Sequence, residues 1–291
     1  MDIVALGEKL EATGYLADEE LATVLFLALE MQRPLLLEGE PGTGKTALAE
    51  AVAEALGQPL IRLQCYEGID ASQALYDWDF PRQILHLRAV EAASQDGDVE
   101  AVEKSLYDER FLLARPVLAA LQQSPAVLLV DEVDRADDEF EAFLLEVLST
   151  YQVSIPELGT VRAAAPPLVV LTSNRTRELH DALKRRCLYH WLDHPSLERE
   201  VEIVRSRAPE VTDALARQVA EVVQALRADA GLTKPPGVAE TLDWARALQR
   251  LGAGSPERPL DAETAARTLG ALVKYREDTD KVRASLARLL A

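Results

Sequence analysis

The chain has 291 residues, enough to bury a large core and to form one sizeable domain plus a smaller one. With 48% apolar and 27% charged residues it has the composition of a soluble globular protein, and no run of about 18 apolar residues marks a membrane span. The net charge of −18 repels phosphate backbones and so disfavours nucleic acid as a partner, although a local basic patch would still bind it. The N-terminus Met1-Asp2-Ile3-Val4 lacks the basic start of a signal peptide. Cys65 and Cys187 have no metal-ligand spacing and read as reduced, buried thiols of a cytoplasmic protein.

Taken in chain order, Asp18–Met31 predicts a helix with Asp18 at its N-cap and an apolar stripe through Leu21, Val24, Leu25 and Leu29. Arg33-Pro34 stops it. Leu35-Leu36-Leu37 is an apolar run bounded by a glycine-rich loop, as a buried parallel strand should be. Thr46–Leu56 reads as the next helix, with Gly57 just past its end. Strands follow at Leu60–Cys65 and Val127–Val130, and the roughly sixty residues between them exceed a single crossover, so they should hold extra helices. A helix at Asp138–Ser149, a hairpin of Val153–Ile155 with Thr160–Arg162, and a buried strand at Leu168–Thr172 come next. Thr176–Arg186 reads as a helix, and a short strand is expected near Tyr189–Leu192. Beyond Pro195 only helical periodicity remains, over 197–208, 212–230, 238–251 and 261–290, separated at Pro235-Pro236-Gly237 and Gly252–Pro259. The pattern predicts an α/β fold, a parallel sheet flanked by helices over residues 1–195, followed by a small all-helical lid over 196–291.

Gly39-Glu40-Pro41-Gly42-Thr43-Gly44-Lys45-Thr46 fits G-x-x-x-x-G-K-[ST] between an apolar strand and a helix. Such a loop curls so that its N–H groups and the helix N-terminus face phosphate oxygens. Lys45 would contact the β- and γ-phosphates of ATP, and the Thr46 hydroxyl would ligate Mg²⁺. Asp131 and Glu132 close an apolar strand, at the edge where α/β sheets bind ligands. Asp131 would hold Mg²⁺ through water and Glu132 would polarise the attacking water; the plainer alternative is a capping pair. Asp134 is either an N-cap or a support for the site. Asn174 ends the next strand and would reach the water beside Glu132, although Ser and Asn commonly end strands. Lys184-Arg185-Arg186 would complement a helix dipole or supply an arginine finger to a neighbouring subunit. Tyr76-Asp77-Trp78-Asp79-Phe80 would either pack the inserted helices or grip a partner, and the hairpin tip Glu157-Leu158 carries the same ambiguity.

In this order, the phosphate loop, acidic strand end, strand-end Asn, basic helix end and helical tail resemble the AAA+ superfamily. The hairpin Gln152–Arg162 ahead of the Asn174 strand, the long insertion before Asp131 and the compact tail resemble its MoxR branch. The wording around Leu63–Gly68 and Arg175–Cys187 is most similar to CoxD-like members. The resemblance implies an ATPase that assembles into a ring, usually a hexamer, with Arg186 in the finger position and Arg185 close behind. It further implies a remodelling chaperone that works with a von Willebrand factor A domain protein on a client metalloenzyme. A nucleic-acid motor or restriction-type subunit and a non-hydrolysing nucleotide switch are the alternatives. One departure stands out: the lid helix begins Pro236-Gly237-Val238-Ala239-Glu240-Thr241, without the arginine that the family places there.

Overall fold

The computed structural model describes residues 1–93, 99–228, 231–254 and 260–290. By packing, the chain forms two compact units, each built from several stretches: residues 1–6, 19–38 and 52–190 in the first, residues 7–18, 39–51 and 191–291 in the second. Helices α1 (Ile3–Ala12) and α3 (Lys45–Leu56) run from one unit into the other along the chain.

The first unit contains α2 (Glu19–Glu30) and a five-stranded sheet made of β1 (Leu35–Glu38), β2 (Leu60–Gln64), β5 (Val127–Asp131), β8 (Leu168–Ser173) and β9 (Leu188–Trp191). The order across the sheet is β2-β5-β8-β1-β9. Parallel pairing sets Leu63 opposite Val130, Val130 opposite Leu171 and Glu38 opposite Ser173. The carboxyl ends of β1, β5 and β8 therefore share one edge. β1, β5 and β8 are buried along their whole length, which explains their unbroken Leu and Val runs.

The insertion between β2 and β5 carries α4 (Ala71–Leu75), α5 (Phe80–Ala93), α6 (Val99–Leu106) and α7 (Pro116–Gln122), as its length requires. It also contains an antiparallel ribbon that the sequence reading lacked, β3 (Tyr76–Trp78) with β4 (Leu112–Ala114). Tyr76 and Trp78 lie half-buried against the core, and Trp78 meets Tyr107 edge to face at 5.4 Å. Phe80, by contrast, is 59% exposed. α8 (Asp138–Thr150) buries Phe140, Leu144 and Val147, and β6 (Gln152–Ile155) pairs with β7 (Gly159–Arg162) in the expected hairpin.

α9 spans only Asp181–Arg186, which corrects the longer helix expected from Thr176. Residues 176–180 spend their polar groups elsewhere. Thr176 N–H donates to Asp134, His180 N–H donates to Glu141, and the Arg177 guanidinium holds the Ala136 carbonyl. Cys65 and Cys187 are free and buried. Burial first, then the carboxylates of Asp131, Asp134 and Glu132, push the Cys65 thiol up to about 12.

In the second unit, α10 (Leu197–Arg207), α11 (Asp213–Ala228), α12 (Val238–Arg250), α13 (Ala262–Arg267), α14 (Leu269–Leu272) and α15 (Arg276–Leu289) enclose a core around Trp244, Leu215 and Val219. The helical stretch expected over 261–290 is broken twice, at Thr268 and again after Leu272, where Val273 turns extended and joins that core. The separator expected at 252–259 and the end of the 212–230 helix lie partly outside the described residues. Glu200 is fully buried and forms a bidentate pair with Arg227 at 2.7 and 2.8 Å, with Thr241 and Gln224 donating to the same carboxylate. A buried charge tolerates this position only when it is so completely partnered.

Candidate functional site

The loop Gly39–Gly44 continues directly from β1 and leads into α3. Gly39 passes so close to the Leu192 carbonyl that an added Cβ would collide with its oxygen. Gly42 adopts a left-handed φ of 83°, which suits glycine. Its neighbour is Gly237, the residue before α12, where an added Cβ would lie 2.7 Å from the Gly42 Cα. Val238 N–H donates to the Gly42 carbonyl at 2.9 Å, so the loop and the start of α12 are in backbone contact. Lys45 is 6% exposed and its ammonium donates to the Gly39 and Glu40 carbonyls at 2.8 Å each. Thr43 is buried and donates to the Glu40 carbonyl, while Pro41 lies between them in the turn. Thr46 is the second residue of α3.

In the first unit, Asp131 ends β5 and is 4% exposed. The Thr172 hydroxyl of β8 donates to its Oδ1 at 2.6 Å, and Arg62 of β2 donates to its Oδ2 at 2.5 Å. Glu132 follows in the left-handed region, φ 54° and ψ 50°, uncommon for a residue with a side chain and a form of strain that concentrates at functional sites. Thr172 secures that turn as well, accepting from Glu132 N–H at 2.9 Å. The Glu132 carboxylate receives Asn174 Nδ2 on Oε1 and Gln64 Nε2 on Oε2, each at 3.3 Å, with Arg135 3.8 Å away. The structure thus brings Asp131, Glu132 and Asn174 together. Asp134 is not the cap of α8: Asp137 holds that place, accepting from Phe140 N–H.

Glu38, buried at the end of β1, accepts from the Tyr189 hydroxyl at 3.2 Å and faces Arg175 at 3.9 Å. Arg185 and Arg186 end α9, away from Asn174 in sequence and carried by another element. Arg33 caps that end, donating to the Arg185, Arg186 and Cys187 carbonyls at 2.8, 3.1 and 3.2 Å. Arg186 Nε is buried without a hydrogen-bond partner, and among the described residues neither Arg185 nor Arg186 forms an ion pair.

Arg62, Gln64, Thr172 and Gly237 are the contributors that sequence reading missed. For β2 a signal was present: Arg62 and Gln64 alternate with Ile61 and Leu63, placing both polar residues on one face beside Asp131 and Glu132.

Residues 34–187, just over half of the chain, match the family described as AAA domain (dynein-related subfamily). The chain belongs to this AAA family. Among its relatives are uncharacterized proteins of two staphylococci. That of Staphylococcus saprophyticus is 23% identical over 76% of this chain and 77% of its own length. That of Staphylococcus haemolyticus is 24% identical over 80% of this chain and 81% of its own length. Midasin of Giardia intestinalis is 52% identical, but over 16% of this chain and 1% of that protein. Of solved structures, a RuvB variant of Thermotoga maritima aligns with 93% of this chain and 70% of its own at 17% identity and a TM-score of 0.48. The AAA+ architecture, a parallel five-stranded sheet flanked by helices with a helical C-terminal region, is therefore that of an ATPase family. Among the described residues no helix is long and apolar enough to cross a membrane.

Proposed function

We propose that this AAA+ protein binds ATP with Mg²⁺ and hydrolyses it, and that it works as a ring-forming remodelling chaperone of the MoxR type. The observation that carries hydrolysis is the grip on Glu132. Asn174 and Gln64 each hold one of its oxygens, which orients a carboxylate to polarise water, while Arg135, at 3.8 Å, pairs with it from beyond hydrogen-bond distance. Gly39–Thr46 bind the phosphates, with Lys45 exchanging its two carbonyl partners for phosphate oxygens. The oxygen donors Thr46 and Asp131, the latter buried and oriented by Thr172, suit a hard cation such as Mg²⁺. When bound, the metal neutralises charge building on the phosphates. Residues 1–195 act as the nucleotide-binding domain and 196–291 as its lid.

The MoxR reading draws support from the β6–β7 hairpin directly ahead of β8 and from the large insertion with its own β3–β4 ribbon. By family resemblance the ring is a hexamer located in the cytoplasm, its partner carries a von Willebrand factor A domain, and its client is a metalloenzyme. Arg186, with Arg185 behind it, is the finger donated to a neighbouring subunit.

The test uses two variants of the full chain. Glu132→Gln should retain ATP on a filter while turnover falls by a factor of roughly a hundred to a thousand, the scale on which positioned catalytic groups act. Lys45→Ala should lose nucleotide binding. Unchanged ATPase activity in Lys45→Ala would remove the central claim. Affinity capture with ATP-loaded Glu132→Gln, followed by mass spectrometry, examines the finer reading: a von Willebrand factor A protein supports it, and a DNA-binding subunit overturns it.

A further inference from the structure

Asp134 sits in the short turn Val133–Arg135 that follows Glu132, and it is 2% exposed. Its carboxylate is committed entirely to the segment after β8. Oδ1 accepts from Asn174 N–H at 3.3 Å, and Oδ2 accepts from Thr176 N–H at 2.8 Å and from the Thr176 hydroxyl at 2.7 Å. The Asp134 carbonyl lies 3.3 Å from the same hydroxyl. Between these two anchored residues, Arg175 is held at a left-handed φ of 56°. Among the described residues no Lys or Arg forms an ion pair with Asp134. A carboxylate buried without a cation is costly unless its oxygens are filled by donors. Here the donors are two N–H groups and a hydroxyl of a single loop.

That loop carries Asn174, whose side-chain amide reaches Glu132 Oε1 at 3.3 Å. Glu132 and Asp134 belong to the same turn, two residues apart. Asp134 thus references the backbone of Asn174 to the turn that presents Glu132, and the Asn174–Glu132 contact closes the circuit. We propose that Asp134 is a positioning residue for ATP hydrolysis, acting through Asn174 to fix the amide that holds Glu132. The inference rests on the ATPase reading above and adds to it a residue that touches no nucleotide.

Asp134→Asn preserves volume but turns an amide donor toward at least one of the loop's own donors, Asn174 N–H or Thr176 N–H. Misplacing a reacting group by about 1 Å costs on the order of a hundredfold in rate. The variant should therefore lose roughly ten- to a hundredfold in kcat, while the Kd for a fluorescent ATP analogue stays within about twofold. The deciding measurement is the double variant. If Asp134 acts through Asn174, Asp134→Asn should slow an Asn174→Ala protein little or not at all, because residues in one network are non-additive. An equal loss on both backgrounds would overturn the proposal, as would an unchanged kcat in the single variant.

Thr176→Val keeps the carboxylate and removes one hydroxyl donor, which guards against a folding defect in Asp134→Asn. It should slow turnover several-fold with little change in Tm; wild-type turnover in this variant, should Asp134→Asn fail to fold, would likewise overturn the proposal. Amide hydrogen exchange separates the two readings. Faster exchange at Asn174 and Thr176 in Asp134→Asn is expected whatever the turnover, and unchanged exchange would sink the clamp alone. Absence of turnover in the wild-type protein would sink the ATPase reading and the catalytic role with it.

Discussion

His194 is placed among charges that act on it in opposite directions. Burial comes first, and Arg227 and Lys45 add repulsion of a protonated ring; Asp193 and Glu240 oppose them. The outcome is a pKa lowered from 6.5 to about 4. Its Nδ1 is buried with no hydrogen-bond partner among the described residues, which agrees with a ring kept neutral. In the unfolded chain the same ring takes up its proton near its ordinary value. Between about 6.5 and 4 the unfolded state therefore binds more protons than the folded one, and folding stability rises with pH across that window. The contribution is complete above about 6.5 and is lost as pH falls toward 4. His194→Gln removes the titration. Because carboxylates titrate in the same range, the useful quantity is the Tm of wild type minus that of the variant. This difference should shrink steadily from pH 7 to pH 4, and a constant difference would show that His194 is not held neutral. Lys45 is among the cations that act on the ring, so keeping it uncharged also limits the positive charge around the loop.

At the scale of elements, the contact between the phosphate loop and the start of α12 is set by two glycines. Gly237 has an ordinary φ of −84°, so its backbone would accept any residue and the constraint is room alone. An alanine there places its Cβ 2.7 Å from the Gly42 Cα and 2.9 Å from Glu240 Oε2. Overpacking of this kind costs about 1–3 kcal/mol, and here it presses on the loop proposed to hold the phosphates. Gly237→Ala should weaken ATP binding by roughly tenfold while the melting transition moves by only a few degrees. An affinity equal to wild type in a titration with a fluorescent ATP analogue would show that this approach does not govern the loop. The pair is not legible in the sequence, because Pro235-Pro236-Gly237 reads as a break between helices and no local window shows that Gly42 approaches it. The strands were legible for a simple reason: Leu35–Glu38 and Val127–Asp131 are apolar runs ended by a polar residue or a glycine loop, and burial on both faces demands that pattern. The segment 176–180 was misread for the opposite reason. Its helical propensity is adequate, but Asp134 and Glu141, about forty residues earlier, claim its N–H groups, and no local window contains them.

For the whole molecule, the proposed ring turns on one residue, Arg186. Arg186 Nε is buried and unpartnered, yet the backbone around it is secured by the three carbonyl contacts of Arg33. A cation fixed in its main chain and, among the described residues, without a carboxylate partner suits the proposed role of a group that meets an anion supplied by another subunit. AAA+ proteins commonly assemble into rings, and in such a ring the finger of one copy serves the ATP of the next. Arg186→Ala should then lose turnover by about a thousandfold while its own ATP binding stays near normal. Lys45→Ala should fail differently, losing ATP binding while still carrying Arg186. Mixed in one assembly, the two defects lie on different subunits. A Lys45→Ala copy can lend its arginine to an Arg186→Ala neighbour whose phosphate loop is intact. The mixture should hydrolyse ATP faster than the weighted sum of the two variants, with a maximum at an intermediate ratio. If no ratio exceeds that sum while the variants co-assemble, Arg186 acts within its own subunit, and the cationic end of α9 is left with its helix dipole as its role.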